Sequence, residues 1–235
     1  MFAIYKREMR AFFTSIIGYA YLFTYFLIGG GVFCYTTLYS MTADVSSFFQ
    51  YMLLFSAVTL PVLTMKSFSE ERKTRTEQLL LTAPVSIPAM IGGKFLACYT
   101  VFGGSVLVSS LYFVLLSRYA VIKVLLLLGN LVALLLVGMA FIAIGLFVSS
   151  LTENQLASAV GTFGIIFAFL AIGLLSNLLP NEYWLRYVFN SLSIFGRYQS
   201  LLSGAFEFST IFYYLSVSAV FLYLTFRVYD RRRCQ

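Results

Sequence analysis

The chain has 235 residues, 60% of them hydrophobic and 18% aromatic, with 16 basic and 9 acidic side chains, no histidine and a mean hydropathy of +0.89. Soluble domains do not sustain that balance, so the class is a polytopic membrane protein. Without histidine no Ser-His-Asp or Cys-His nucleophile can be assembled, and three cysteines do not make a disulfide framework.

Residues 1–15 are amphipathic at helical spacing: Phe2, Tyr5, Met9 and Phe12 form one face, Lys6, Arg7 and Arg10 the other. That pattern predicts an interfacial helix with its apolar side in the headgroup layer and its basic side toward anionic lipid. A span needs about 20 apolar residues to cross roughly 30 Å of hydrocarbon. Stretches at 16–39, 48–65, 91–116, 124–148, 156–179 and 211–228 meet that length, giving six predicted spans. The first is too long for a signal peptide, lacks a small-x-small cleavage site, and is expected to stay attached. Lys94, near the start of the third, is the one charge in the first five stretches, with Arg227 at the very end of the sixth, and the Lys94 stem is expected to snorkel to the interface. Pro61 removes a hydrogen bond near the end of the second span. Gly103, Gly104 and Ser105 in the third span, and Gly129, Gly138 and Gly145 in the fourth, allow close helix approach. Asn130 is expected to face inward in a structural hydrogen bond. Cys34 and Cys98 fall in spans and Cys234 in the tail, as free thiols without a role.

Between the second and third spans lies a polar island, residues 66–88, KSFSEERKTRTEQLLLTAPVSIP, which holds Lys66, Glu70, Glu71, Arg72, Lys73, Arg75 and Glu77. Ser67 and Glu70 have the spacing of a capping box. Glu71–Arg75 and Lys73–Glu77 fall at i,i+4, where a pair is worth roughly 0.2–0.5 kcal/mol. Leu79, Leu80 and Leu81 follow, and Pro84 turns Ala83 away from helix. The island therefore predicts a short charged helix over 67–82, ending in leucines and lying outside the bilayer. Its alternative is a solvated loop that only fixes topology.

A second capping box, Ser150 and Glu153, is expected to start the fifth span after a tight turn. Residues 180–209 are long for a loop. They carry Tyr183, Trp184, Tyr187, Phe189, Phe195 and Tyr198, amphipathic aromatics that favour the interface. Short re-entrant helices in the outer leaflet fit this composition better than an exposed loop, and Tyr183, Trp184, Tyr187 and Phe195 become outer-gate candidates.

With six spans, both termini share a side with the island. That side holds Lys6, Arg7, Arg10, Lys66, Arg72, Lys73, Arg75, Lys94, Arg227, Arg231, Arg232 and Arg233, against Arg118, Lys123, Arg186 and Arg197 on the other. The positive-inside rule puts both termini and the island in the cytoplasm. The net charge of +7 thus reads as leaflet bias rather than nucleic-acid binding. No phosphate-binding G-x-x-x-x-G-K-[ST] loop, metal cluster or intramembrane carboxylate is evident, which leaves little for an enzyme or a proton-coupled carrier to use.

The island resembles the cytoplasmic segment of type-2 ABC transporter permeases, closest to the gliding-motility-type subgroup. Phe68, Glu70, Glu71, Arg72, Thr76, Glu77, Leu79, Leu80, Pro84, Val85, Ser86, Gly93 and Lys94 match the subgroup's pattern, while Arg75 stands where glycine is common. The resemblance implies an all-α integral membrane permease domain over 1–235 with no ATPase of its own, in a bacterial inner membrane. Two such subunits, alike or different, would pair with two cytoplasmic ABC ATPases that bind the ATP and magnesium; the permease itself would bind no cofactor. The 67–82 helix would be the coupling helix, with Phe68, Glu70, Glu71, Arg72, Arg75, Glu77, Leu79, Leu80, Leu81 and Pro84 in the ATPase contact. Its movement would shift the second and third spans, in an exporter whose substrate stays open. The competing reading is a non-transporting scaffold that docks a cytoplasmic protein through the island.

Overall fold

The computed structural model describes residues 1–42, 44–78, 86–120, 123–178, 193–202 and 207–233, with 174–178 as backbone only. Within them the chain is helical: α1 (Phe2–Thr14), α2 (Ile16–Phe33, continued by a π-helical stretch Cys34–Tyr39), α3 (Val45–Thr64), α4 (Lys66–Lys73), α5 (Ile87–Leu116), α6 (Val124–Leu151), α7 (Gln155–Leu178), α8 (Ile194–Leu202) and α9 (Phe208–Arg233). Among the described residues there is no strand.

Six helices are long and apolar enough to cross a membrane: α2 with its π-helical end, α3 running on into α4, and α5, α6, α7 and α9. They correspond one to one with the predicted spans. Their outward faces are apolar, with Phe23, Leu27, Leu111, Phe167, Phe212 and Val220 exposed. Such a surface is stable against hydrocarbon and costly against water.

The centre is α6, whose apolar stretch is the most buried of the six. It packs against α3, α5, α7, α8 and α9. Two glycines permit this: a Cβ at Gly138 would run into the Phe102 ring of α5, and one at Gly145 into Thr64 of α3. At Gly138 and Gly145 the small-residue signal in the sequence thus marks close helix contacts, whereas a Cβ at Gly104 would meet nothing within 4 Å. Asn130 is fully buried and donates Nδ2–H to Ser46 Oγ at 3.4 Å, the structural role expected of it.

The apolar face of α1 differs from the expectation. Ile4 and Phe12 are buried, whereas Phe2 is exposed, as is Phe13. The helix packs on α5, where Gly93 brings its Cα within reach of Ile4: a Cβ there would lie 3.1 Å from Ile4 Cβ. Tertiary packing has therefore claimed the Ile4–Phe12 edge and left Phe2 and Phe13 pointing away beside Lys6 and Arg10.

At the end opposite the polar island, α8 is seated in the bundle by hydrogen bonds to backbone carbonyls. Tyr198 donates its hydroxyl to Phe49 C=O at 2.9 Å, Tyr214 donates to Ile194 C=O at 2.8 Å, and Ser46 donates to Leu202 C=O at 3.2 Å. Ser193 Oγ accepts the Gly196 N–H at 2.9 Å and caps the helix start. Of the outer-gate candidates, Phe195 is half-buried against the core, and Tyr183, Trp184 and Tyr187 lie outside the described residues.

Candidate functional site

The polar island begins as an extension of α3. Met65 keeps right-handed helical geometry and donates its N–H to Pro61 C=O at 2.9 Å, so the chain leaves the second span almost without a break. The predicted Ser67–Glu70 capping box does not form. Ser67 sits inside the first turn, buried, with no partner for its hydroxyl, and Glu70 pairs with Lys66 at 3.2 Å instead. The cap comes from α6: Ser149 Oγ accepts both the Phe68 and Ser69 N–H at 3.1 Å and donates to Met65 C=O at 3.2 Å. A helix continuing from a preceding helix has no extended residue to serve as its own cap, so a neighbouring hydroxyl satisfies its free amides.

The expected i,i+4 pairs are likewise absent, because the glutamates reach other helices. Glu71 Oε1 lies 2.6 Å from Arg7 Nη2 of α1 and 3.0 Å from Lys94 Nζ of α5. Glu8 of α1 completes the group, 2.8 Å from Arg7 and 3.1 Å from Lys94. Lys94 does not snorkel: its side chain is 1% exposed, Nζ donates to Ser67 C=O at 2.6 Å, and it lies 4.9 Å from the centroid of the Phe68 ring. Two cations and two anions therefore close a neutral knot that ties α1, α4 and α5 together. Charges this dry persist only when each is paired and hydrogen-bonded.

Arg72 donates to Leu151 C=O at 2.7 Å and pairs with Glu153 at 3.0 Å, tethering α4 to the end of α6. This also explains why the Ser150–Glu153 capping box fails. Ser150 is still inside α6, donating to Phe147 C=O at 2.6 Å, and Asn154 Oδ1 accepts the Leu156 N–H at 3.0 Å in its place. Glu77 pairs with Arg232 of α9 at 2.9 Å, and Arg232 donates to Ser150 C=O at 2.8 Å. Phe68 is buried with its ring 5.0 Å from that of Tyr229 on α9. Every ion pair among the described residues belongs to this end of the bundle.

The predicted 67–82 helix is interrupted. It ends at Lys73, and Arg75 follows with φ 58, in the left-handed region. For a residue with a Cβ that conformation costs roughly 1–2 kcal/mol, and glycine is the usual occupant just past a helix end. Hydrogen bonds on both sides hold it: Arg75 N–H donates to Arg72 C=O at 3.1 Å, and the Thr74 and Thr76 hydroxyls lie 3.0 Å apart, with Thr74 donating to Glu70 C=O at 2.8 Å. Leu79, Leu80, Leu81 and Pro84 lie outside the described residues. A cleft of about 290 Å³ opens between α1 and α4, lined by Arg7, Glu8, Phe12, Ser67, Thr74 and Lys94 among others.

The structure thus gathers Phe68, Glu70, Glu71, Arg72, Arg75 and Glu77 at one end, as the sequence suggests, but turns most of their charges inward. Glu8, Ser149, Arg232 and the true place of Lys94 escape sequence reasoning. A signal existed for Glu8: Ile4, Glu8 and Phe12 recur at i,i+4, which places an acid on the buried face and requires a cation opposite it.

A bundle of six membrane-length helices whose ion pairs, among the described residues, sit at one polar end is a multi-pass membrane protein. Residues 2–233 match the family described as ABC-2 family transporter protein, and the chain belongs to that family. It is a transmembrane permease subunit of an ABC transporter. No curated protein matches the chain.

Proposed function

We propose that this permease couples ATP hydrolysis by a separate cytoplasmic ABC ATPase to export of a substrate, and that residues 67–82 are the coupling element. The observation that supports this most is the way the segment is built into the bundle. Its charges connect it to α1, α5, α6 and α9 at once, through Glu71, Arg72 and Glu77. A loop that only set topology would need none of these ties. The motif from Phe68 to Lys94 supports placement near the gliding-motility-type permeases.

In this reading two permease subunits, identical or not, engage two ATPases that carry ATP and magnesium. Both termini and the charged end face the cytoplasm of a bacterial inner membrane. The exposed Phe2 and Phe13 beside Lys6 and Arg10 suit α1 to the headgroup layer. At the other end α8, with Phe195 and the neighbouring Tyr183, Trp184 and Tyr187, serves as a re-entrant outer gate.

The test is co-purification of the full chain with candidate ABC ATPases, followed by hydrolysis assays with and without it. Leucines held outside a bilayer bury against a partner, at about 1.5–3 kcal/mol per side chain. Leu79→Ala with Leu80→Ala should therefore release the ATPase or uncouple hydrolysis while leaving membrane insertion intact. If that double variant binds and stimulates the ATPase like the wild type, the coupling assignment fails and the chain acts as a scaffold.

A further inference from the structure

We infer that Arg75 is a specificity-determining docking residue, held out to meet a carboxylate on the ATPase partner. The inference rests on the coupling reading of residues 67–82 and adds to it the residue and the chemistry of the contact.

Three observations carry it. The first is pairing. Lys66, Glu70, Glu71, Arg72 and Glu77 all have ionic partners within the chain, while Lys73 and Arg75 have none among the described residues. Both are exposed. Glu71 and Glu77 are drawn inward and Glu70 is paired with Lys66, so the exposed charges of the segment without an ionic partner among the described residues are these two cations. The field presented there is positive and calls for a negative counterpart.

The second is conformation. Arg75 occupies the left-handed region at φ 58, where glycine would rest without strain. The strained backbone fixes the direction in which the side chain leaves the turn, and hydrogen bonds from Arg75 N–H and Thr74 Oγ1 back to α4 keep it there. Among the described residues its side chain makes no hydrogen bond or ion pair that offsets the strain. A strained residue with no internal reward is the pattern of a site kept for an external one.

The third is reach, and it separates protein from lipid. Val45–Lys73 forms 29 residues of nearly continuous helix, roughly 43 Å at about 1.5 Å per residue. Hydrocarbon occupies about 30 Å, and the whole bilayer with headgroups about 40–45 Å. With Asp44 at the far interface, the turn after Lys73 reaches the edge of the headgroup layer or passes it. A guanidinium there faces water and protein rather than phosphate. Its planar fork suits a carboxylate bound through two parallel hydrogen bonds.

The experiment uses the full chain in nanodiscs and the ABC ATPase that co-purifies with it. Variants are Arg75→Gly, Arg75→Asn, Arg75→Glu and Arg75→Lys. Gly and Asn accept the left-handed geometry, so their melting midpoints should not fall below wild type. Both should bind the ATPase roughly tenfold more weakly, about 1.4 kcal/mol. Arg75→Glu should be weaker still, and Arg75→Lys should recover part of the loss. The gap between wild type and Arg75→Asn should narrow at high salt, since the Debye length falls from about 10 Å at 0.1 M to about 3 Å at 1 M. Unchanged ATPase affinity in the Gly, Asn and Glu variants would overturn the inference and leave the coupling reading standing. A lowered midpoint for Gly would also overturn it, by showing that the side chain serves the fold. A melting midpoint that rises with anionic phosphatidylglycerol in the nanodisc for wild type but not for Arg75→Asn, without loss of ATPase affinity, would assign Arg75 to lipid instead and overturn the inference. If the wild type captures no ATPase at all, the coupling reading itself falls.

Discussion

Glu70 and Glu71 are neighbours in sequence with opposite structural weight, and neutralising each in turn separates them. Glu70 pairs with Lys66 across one helical turn, with the two side chains 39% and 23% exposed. Such a pair contributes about 0.3–0.5 kcal/mol, so Glu70→Gln should leave stability nearly unchanged. Glu71 is 16% exposed and serves both Arg7 and Lys94, the latter only 1% exposed. Removing one partner of a buried pair costs about 3–5 kcal/mol because the other charge is stranded. Here Glu8 at 3.1 Å and the Ser67 carbonyl at 2.6 Å still serve Lys94, which brings the expectation for Glu71→Gln below that range, to about 2–3 kcal/mol. Thermal melts of the purified permease in one detergent would read the difference. At roughly 2–4 °C per kcal/mol for a chain of this size, the Glu71 variant should melt several degrees lower and the Glu70 variant within one degree of wild type. Adding Lys94→Met to Glu71→Gln removes the stranded cation, so the double variant should melt above the sum of the single losses. Equal midpoints for the Glu70 and Glu71 variants, or strict additivity with Lys94→Met, would show that the knot is not a buried unit and would refute the reasoning.

Three further outcomes follow from the geometry. Gly138→Ala and Gly145→Ala should each destabilise by about 1–3 kcal/mol through overpacking against Phe102 and Thr64, whereas Gly30→Ala, whose Cβ meets nothing within 4 Å, should melt like wild type. Ser149→Ala strips the acceptor from the Phe68 and Ser69 amides and should cost about 1 kcal/mol, with faster amide exchange confined to the start of α4. Tyr198→Phe removes the hydroxyl bonded to Phe49 C=O and should cost about 1 kcal/mol, seen as earlier proteolysis around α8 before any change at the charged end.

The spans were legible because their determinant is local: a run of apolar residues long enough to cross hydrocarbon reads the same in the sequence as in the fold. Gly138 and Gly145 were legible as packing positions for a similar reason, since lack of a side chain is itself the feature. The charged island was legible as a site but not in its wiring. Glu71 and Arg75 satisfy the i,i+4 rule on paper, yet that pair is worth tenths of a kcal/mol, and a dry cation at Lys94 outbids it. The Ser67 capping box failed because a cap needs an extended residue before the helix, and the helix from α3 never stops long enough to supply one. Glu8 shows the general limit: an acid on a buried helical edge announces that it needs a cation, but not which of sixteen basic residues, 86 positions away in this case, will provide it.

The hydrogen bonds of Ser149 bear on how motion would pass through the bundle. Pro61 takes one rung from the ladder of α3, and the amides of Phe68 and Ser69 are held by α6 instead of by the turn before them. The rod from Val45 to Lys73 is therefore compliant on either side of Thr64, and firm at Thr64 itself, where Gly145 receives it. In the coupling reading a push on α4 would be shared between the second span, which it continues, the third, through Lys94, and α6, at a pivot one turn beyond the Gly145 contact. In the coupling reading the fourth span, the most buried of the six, would be the fulcrum, and the outer helices the parts left free to swing.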